Sequence, residues 1–277
     1  MIPSNFEYVR AESVEEAVRH LRENGEDAKL LAGGHSLLPL MKLRLAAPSL
    51  LIDISRIPGL HGVSENGEVR IGALTQHAVV ARSGLGLVSA AAGKIADPQV
   101  RHRGTLGGSL AHGDPASDMP AIMMALEATF SAEGDNTRRT IAATEFFTDF
   151  LEVALEPHEV LTEIRFPDVS GWGFGYEKFN RRQEDWAMVA VSALVKVDNG
   201  VASDVRIGLT HMGATPLRAT AAEDALRGQD LTPQNIAAAA EQAAEGTDPP
   251  SDINATQDYK RHLARVLCRR ALTKAAA

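Results

Sequence analysis

A single cysteine, Cys268, stands among 277 residues. One thiol closes no intrachain disulfide, and alone it holds neither an iron–sulfur cluster nor a cysteine-based zinc site. Cys268 falls within an amphipathic pattern, so packing is its expected role. The histidines show no HExxH and no paired metal spacing, so any metal chemistry is expected on a partner. No apolar run approaches the ~20 residues of a membrane-spanning helix, so no membrane span is expected. Basic charge is also scarce: 28 Lys and Arg against 36 Asp and Glu give a net charge of −8. Binding along a nucleic acid needs a basic face, so nucleic acid is not an expected partner. The basic cluster Arg101–His102–Arg103 lies beside glycines and reads either as a site for one small anion or as a solvated loop. The opening MIPSNFEYVR has no basic, apolar, cleavable pattern, and a cytoplasmic protein is expected.

What the chain does have is 44% apolar residues, ample for a core spread over two or three small units. Ser13, with Glu16 three residues on, predicts a capped helix carrying Val14, Ala17, Val18 and Leu21 on one stripe and ending at Asn24–Gly25. Strands are predicted at 29–32 and 50–54, giving a first unit of β–α–β character over residues 1–55. A second unit, residues 56–170, opens with a hairpin around Asn66–Gly67, where a type I′ turn is expected. Mostly helical sequence follows over 74–96, then a polar loop at 111–117, an apolar helix at 119–126, and strands at 128–132 and 161–166. Pro167 to Gly173 reads as a joint. The third unit, 171–277, shows three strand-like segments that look antiparallel, then a helix capped by Thr232 with Pro233 in its first position. A last helix would set Tyr259, Leu263, Val266, Leu267 and Ala271 on one face.

Two glycine segments some 70 residues apart carry the functional signal: Ala32–Gly33–Gly34–His35–Ser36 and Thr105–Leu106–Gly107–Gly108–Ser109. A diphosphate needs closely approaching backbone N–H donors, and a Cβ would hold its oxygens off. Paired glycines can supply such a nest, and Ser36, Thr105 and Ser109 can add hydroxyl donors. Paired glycines also serve tight turns for conformational reasons alone. Neither segment is the GxGxxG of a dinucleotide-binding sheet, and no P-loop is present.

The first segment, with Leu43–Arg44 after it, resembles the first FAD motif of molybdenum hydroxylase flavoprotein subunits, and the second resembles their second motif. The type nearest in pattern is the medium subunit of aerobic carbon monoxide dehydrogenases. The resemblance extends through Ile95–Ala96–Asp97–Pro98, Gly113–Asp114–Pro115, Asp118–Met119–Pro120, Tyr176–Glu177–Lys178, Thr215–Pro216–Leu217–Arg218 and the stretch from Tyr259 to Leu272. It implies an α+β fold: a two-unit PCMH-type FAD-binding region followed by a C-terminal α+β domain on a three-stranded antiparallel sheet. It also implies non-covalent FAD held by both glycine segments, with Asp118 near the ribose or adenosine side. Leu161 and Lys178 would lie near the flavin, and Trp186 against the isoalloxazine. Asp118 has a second reading as a helix cap, Lys178 as a surface lysine and Trp186 as a core residue. Ser109 stands where the family often has asparagine, which shortens that donor.

The function implied is electron transfer. FAD on this chain would take electrons from a small partner subunit with [2Fe-2S] clusters, which is fed by a large partner subunit with the molybdenum cofactor. A dimer of heterotrimers is the expected assembly. No residue of this chain need act as an acid or base. The alternative is a free-standing flavin oxidase with FAD covalently bound at His35, since a similar Gly–Gly–His–Ser carries the flavinylated histidine in berberine-bridge-type oxidases. A module that has lost flavin is a further reading.

Overall fold

The computed structural model describes residues 2–277. Its first unit comprises β1 (Glu7–Arg10), α1 (Val14–Asn24), β2 (Ala28–Leu31), α2 (Leu37–Leu43) and β3 (Leu50–Asp53). The strands form a parallel sheet in the order β1-β3-β2, so an N-terminal strand joins the expected β–α–β pattern. Ser13 caps α1 by accepting the Glu16 N–H. The Glu16 carboxylate reaches back one residue further than a capping box requires, to the Glu12 N–H at 2.8 Å. Gly25, at φ 56°, ends the helix by donating to the Leu21 carbonyl.

The second unit begins with β4 (Val63–Glu65), β5 (Glu68–Gly72), α3 (His77–Val80), α4 (Leu87–Ala92) and α5 (Pro98–Arg101). It continues with α6 (Leu106–His112), α7 (Asp118–Ala125), β6 (Thr129–Gly134), β7 (Thr137–Ala142), α8 (Ala143–Phe146), β8 (Phe147–Asp149), β9 (Glu152–Val153) and β10 (Val160–Pro167). Five strands make an antiparallel sheet, β4-β5-β10-β6-β7, with β10 at its centre. Helix α7 is apolar on nearly every side and is buried accordingly. Residues 106–112, expected in part as loop, are helical.

The third unit holds β11 (Gly173–Phe179), β12 (Val189–Asp198), β13 (Val201–Thr210), β14 (Leu217–Arg218), α9 (Thr220–Leu226), α10 (Pro233–Glu241) and α11 (Gln257–Ala275). The three long antiparallel strands are as expected, and the two-residue β14 adds a fourth on the β13 edge. The type I′ turn sits here, at Asn199–Gly200, with φ 54° and 84°, and not at Asn66–Gly67, where only the glycine is left-handed. On α11, Leu263, Leu267 and Ala271 are buried, whereas Tyr259 is exposed.

Tyr176, Ala187, Ala190 and Leu194 of the third unit share a core with the second. Leu60, Leu74 and Val160 of the second share one with the first. At Gly208 a Cβ would come within 2.8 Å of the Ala121 carbonyl carbon, so β13 lies directly on α7. The three units therefore meet around one cleft. No helix among the described residues is long and apolar enough to cross a membrane.

Candidate functional site

The cleft is about 610 Å³ and draws its walls from all three units. Thirteen of the fourteen site residues expected from sequence line it: Ala32, Gly33, Gly34, His35, Ser36, Thr105, Gly107, Gly108, Ser109, Asp118, Leu161, Lys178 and Trp186. Leu106 does not, because its side chain is fully buried in the core and its N–H is bonded to the Thr75 carbonyl.

The two glycine segments differ in what they offer. In the first, the backbone N–H groups of Gly33, Gly34, His35 and Ser36 find no acceptor among the described residues. Gly34, at φ 76°, turns the chain between β2 and α2 so that these donors follow one another in a nest. A Cβ on Gly33 would lie 2.8 Å from the Arg103 carbonyl carbon and from the Gly104 Cα, so this glycine brings the first segment onto the approach to the second. The second segment caps and opens α6, and the backbone N–H groups of Leu106 to Ser109 are spent. Gly107 donates to Ala73 O at 2.8 Å, Gly108 to the capping Thr105 Oγ1 at 3.2 Å and Ser109 to Thr105 O at 3.0 Å. Gly107 is a packing glycine, since a Cβ there would meet the Ala73 Cβ at 2.5 Å. Gly108 is different: a Cβ would meet Thr105 Oγ1 at 2.7 Å and then only Ala32 Cβ at 3.9 Å, across the cleft. Ser109 Oγ is paired with Ser117 Oγ at 2.7 Å. The Arg101 guanidinium turns to the Ile95 and Ala96 carbonyls at 2.7 and 3.0 Å, which takes it out of the anion site considered for the basic cluster.

Deeper in the cleft, Asp118 opens α7 but does not cap it, as the N-cap is Ser117. Its carboxylate accepts from the Tyr176 hydroxyl and from Lys178 Nζ at 3.0 Å, and both side chains of that ion pair are about 5% exposed. Burial raises the Asp118 carboxyl above the usual carboxylate range, while Lys178 and Tyr176 pull it the other way. The same burial, with Asp118 beside it, pushes the Tyr176 hydroxyl well up, so it stays a proton donor. Lys94 joins this cluster by donating to the Tyr176 carbonyl at 3.1 Å, with its ammonium 5.2 Å from the ring centroid. Leu161 is buried beside the register shift in the β10–β6 pairing. Trp186 lies on the rim, 56% exposed.

Residues 4–169 match the family described as the FAD binding domain in molybdopterin dehydrogenase, and residues 174–275 match the CO dehydrogenase flavoprotein C-terminal domain. The chain belongs to this family. It is 45% identical to the carbon monoxide dehydrogenase medium chain of Hydrogenophaga pseudoflava, over 99% of this chain and 98% of that one. It is 38% identical to the nicotine 6-hydroxylase medium subunit of Paenarthrobacter nicotinovorans, over 98% and 97%. Among solved structures, the carbon monoxide dehydrogenase from H. pseudoflava that lacks the Mo-pyranopterin moiety superposes with a TM-score of 0.96 at 47% identity, covering 99% and 98% of the two chains. Quinoline 2-oxidoreductase from Pseudomonas putida 86 gives 0.95 at 32% identity, covering 100% and 98%. The resemblance read from the glycine segments is borne out, and the chain is a flavoprotein subunit of the molybdopterin-dependent oxidoreductase class.

The residues present suit FAD. Four unclaimed N–H groups face an approach that Gly108 keeps free of side chain, and the cleft falls within the ~300–1,000 Å³ usual for cofactor sites. Ile95 and Ala96 (left-handed at φ 40°), from a stretch named in the resemblance but given no site role there, also line the cleft, and His77, Leu155 and Glu184 join them with no signal in the sequence. Tertiary packing alone brings them here.

Proposed function

We propose that this chain is the electron-transfer subunit of a heteromeric molybdenum hydroxylase, and that FAD lies in the cleft without a covalent bond. The observation that carries this reading is the set of four free N–H donors over Gly33–Ser36, set against the open face of Gly108. The nest would hold the diphosphate, with the Thr105, Ser36 and Ser109 hydroxyls at its margin. Asp118 and Lys178 would meet the sugar and flavin portions, and Leu161 and Trp186 would cover the ring. Bound FAD supplies the capacity to take up electrons from a one-electron carrier and pass them on. The protein's share is to bind, orient and shield. The Asp118–Lys178–Tyr176 cluster fixes a charged group in a dry wall, and Trp186 limits access of solvent to the rim.

On this reading a small subunit with [2Fe-2S] clusters delivers electrons, a large subunit with the molybdenum cofactor oxidises the substrate, and the assembly is a dimer of heterotrimers in the cytoplasm. Residues 1–55 and 56–170 form the two FAD-binding units, and 171–277 the C-terminal domain.

Acid precipitation of the purified, yellow chain tests the cofactor and its linkage. FAD released into the supernatant is the expected result. Flavin retained in the pellet would point to a covalent bond at His35, and a chain that takes up no FAD on reconstitution would overturn the assignment. Co-purification with molybdenum and iron in fixed ratio to FAD tests the partners.

A further inference from the structure

His77 is the first residue of α3 and is 4% exposed. Its backbone N–H donates to Gly104 O at 3.0 Å, and its ring fills the space where a Gly104 Cβ would stand, with Cδ2 at 3.0 Å and Nε2 at 3.5 Å from that point. Gly104 in turn meets Gly33, so His77, Gly104 and Gly33 are stacked in series at the junction of the two glycine segments. The ring lines the cleft. Neither ring nitrogen has a hydrogen-bond partner among the described residues, and Nδ1 is fully enclosed.

Burial is the main cause that holds the imidazole uncharged, with His35 and then Arg101 adding to it, and its pKa is lowered to about 4. The ring therefore carries one proton at neutral pH. An enclosed N–H without an acceptor is rarer in folded proteins than an enclosed unused lone pair. The proton accordingly belongs on Nε2, the nitrogen that is not enclosed, and Nδ1 keeps its lone pair. Nε2, partnerless and not enclosed on a residue that lines the cleft, is the ring nitrogen a bound cofactor can reach, and a polar group left without a partner in a cofactor site calls for one.

We propose that His77 is a cofactor-binding residue, a neutral imidazole whose Nε2–H donates to an acceptor oxygen or nitrogen of FAD where the two glycine segments meet. The proposal rests on the cleft being the FAD site. A neutral donor suits this position because Arg101, nearby, is already committed to backbone carbonyls. It adds a directional bond without another buried charge.

The test uses the full chain, stripped of flavin, titrated with FAD, and melted without it. Three variants separate the nitrogens: His77→Gln places an amide N–H near the Nε2 position, His77→Asn places one near Nδ1, and His77→Leu removes both. His77→Leu should weaken FAD binding about tenfold and leave the flavin-free chain as stable as wild type or more so, since it removes an unsatisfied buried group. His77→Gln should bind within about threefold of wild type, and His77→Asn should not recover the loss. Wild-type affinity in His77→Leu, recovery in His77→Asn but not in His77→Gln, or a loss of affinity matched by an equal loss of stability in the flavin-free chain would each overturn the proposal. A wild-type chain that binds no FAD would instead overturn the reading of the cleft itself.

Discussion

Gly33 rests on the backbone of Arg103, with no room between them for a methyl group. The contact joins two segments about 70 residues apart and sets the distance between the free N–H groups of the first and the open face of the second. Gly33→Ala must push these backbones apart. Overpacking against backbone costs about 1–3 kcal/mol, so the variant should melt several degrees lower and lose FAD together with stability. Calorimetry and flavin content on the same samples check this. Wild-type values for both would remove the contact from the account.

Gly108→Ala should behave in the opposite way. The added Cβ meets only the Thr105 hydroxyl closely and otherwise projects toward Ala32 across the cleft. In the first turn of α6, alanine gains at most about 1 kcal/mol of helix propensity over glycine, which offsets a weakened Thr105 cap. The melting temperature should stay within about 3 °C of wild type while FAD affinity falls at least tenfold. Undiminished affinity would take Gly108 out of the binding surface.

These two glycines mark how far the sequence could be read. The first segment was legible because its chemistry is local: a glycine pair between a strand and a helix, followed by a histidine and a serine. The caps at Ser13 and Thr232 were legible for the same reason. The second segment looked like another donor loop, but Thr75 and Ala73, some 30 residues earlier, take two of its N–H groups and turn it into a helix start. Nothing within the segment signals those acceptors. Lys94, Tyr176 and Asp118 lie far apart in sequence and meet only once β11 is laid beside α4 and the Tyr176 side chain reaches the start of α7. The Asn–Gly pairs make the same point: pairing of long strands on both sides makes Asn199–Gly200 a type I′ turn, whereas the hairpin at Asn66–Gly67 closes with Glu65 opposite Val69. A residue pair proposes a turn, and the register around it decides which turn forms.

The Asp118–Lys178 pair yields a prediction about coupling. Each charge is enclosed, and each is the other's main counter-charge. Lys178→Met leaves a buried carboxylate without its ammonium and should cost roughly 3–5 kcal/mol. Asp118→Asn with Lys178→Met removes both charges and should recover much of that loss. Urea unfolding of the two singles and the double closes the cycle. A double variant as unstable as the sum of the singles would mean that the pair is not coupled in the folded chain.

The lowered pKa of His77 makes stability depend on pH. The unfolded chain takes up a proton on this ring below about 6.5, and the folded chain resists until about 4. The contribution is therefore present in full above pH 6.5 and is lost as pH falls from 6.5 to 4. At about 1.4 kcal/mol per pKa unit, the loss is on the order of 3 kcal/mol. Other groups titrate in the same range, so the informative quantity is the difference between wild type and His77→Leu. Between pH 7.5 and 4.5, wild type should lose on the order of 2 kcal/mol more than the variant. Parallel pH profiles would show that the ring gains no protection from folding.

Trp186 and Trp172 are the only tryptophans, and the structure sets them in different surroundings. Trp172 is half-buried under the Arg206 guanidinium, 4.7 Å from its ring centroid. Trp186 is 56% exposed on the cleft rim. If its indole covers the flavin, the exposure should fall when FAD binds. The Trp172→Phe chain leaves Trp186 as the sole reporter, emitting at long wavelength and freely quenched by acrylamide without flavin. FAD should reduce its acrylamide accessibility several-fold. An aromatic contact is worth about 0.5–1.5 kcal/mol beyond area burial, so Trp186→Ala should weaken FAD binding roughly three- to tenfold, and Trp186→Phe less. Acrylamide accessibility that FAD leaves unchanged, together with full affinity in Trp186→Ala, would free this side chain from the cofactor and leave it to the surface that meets a partner.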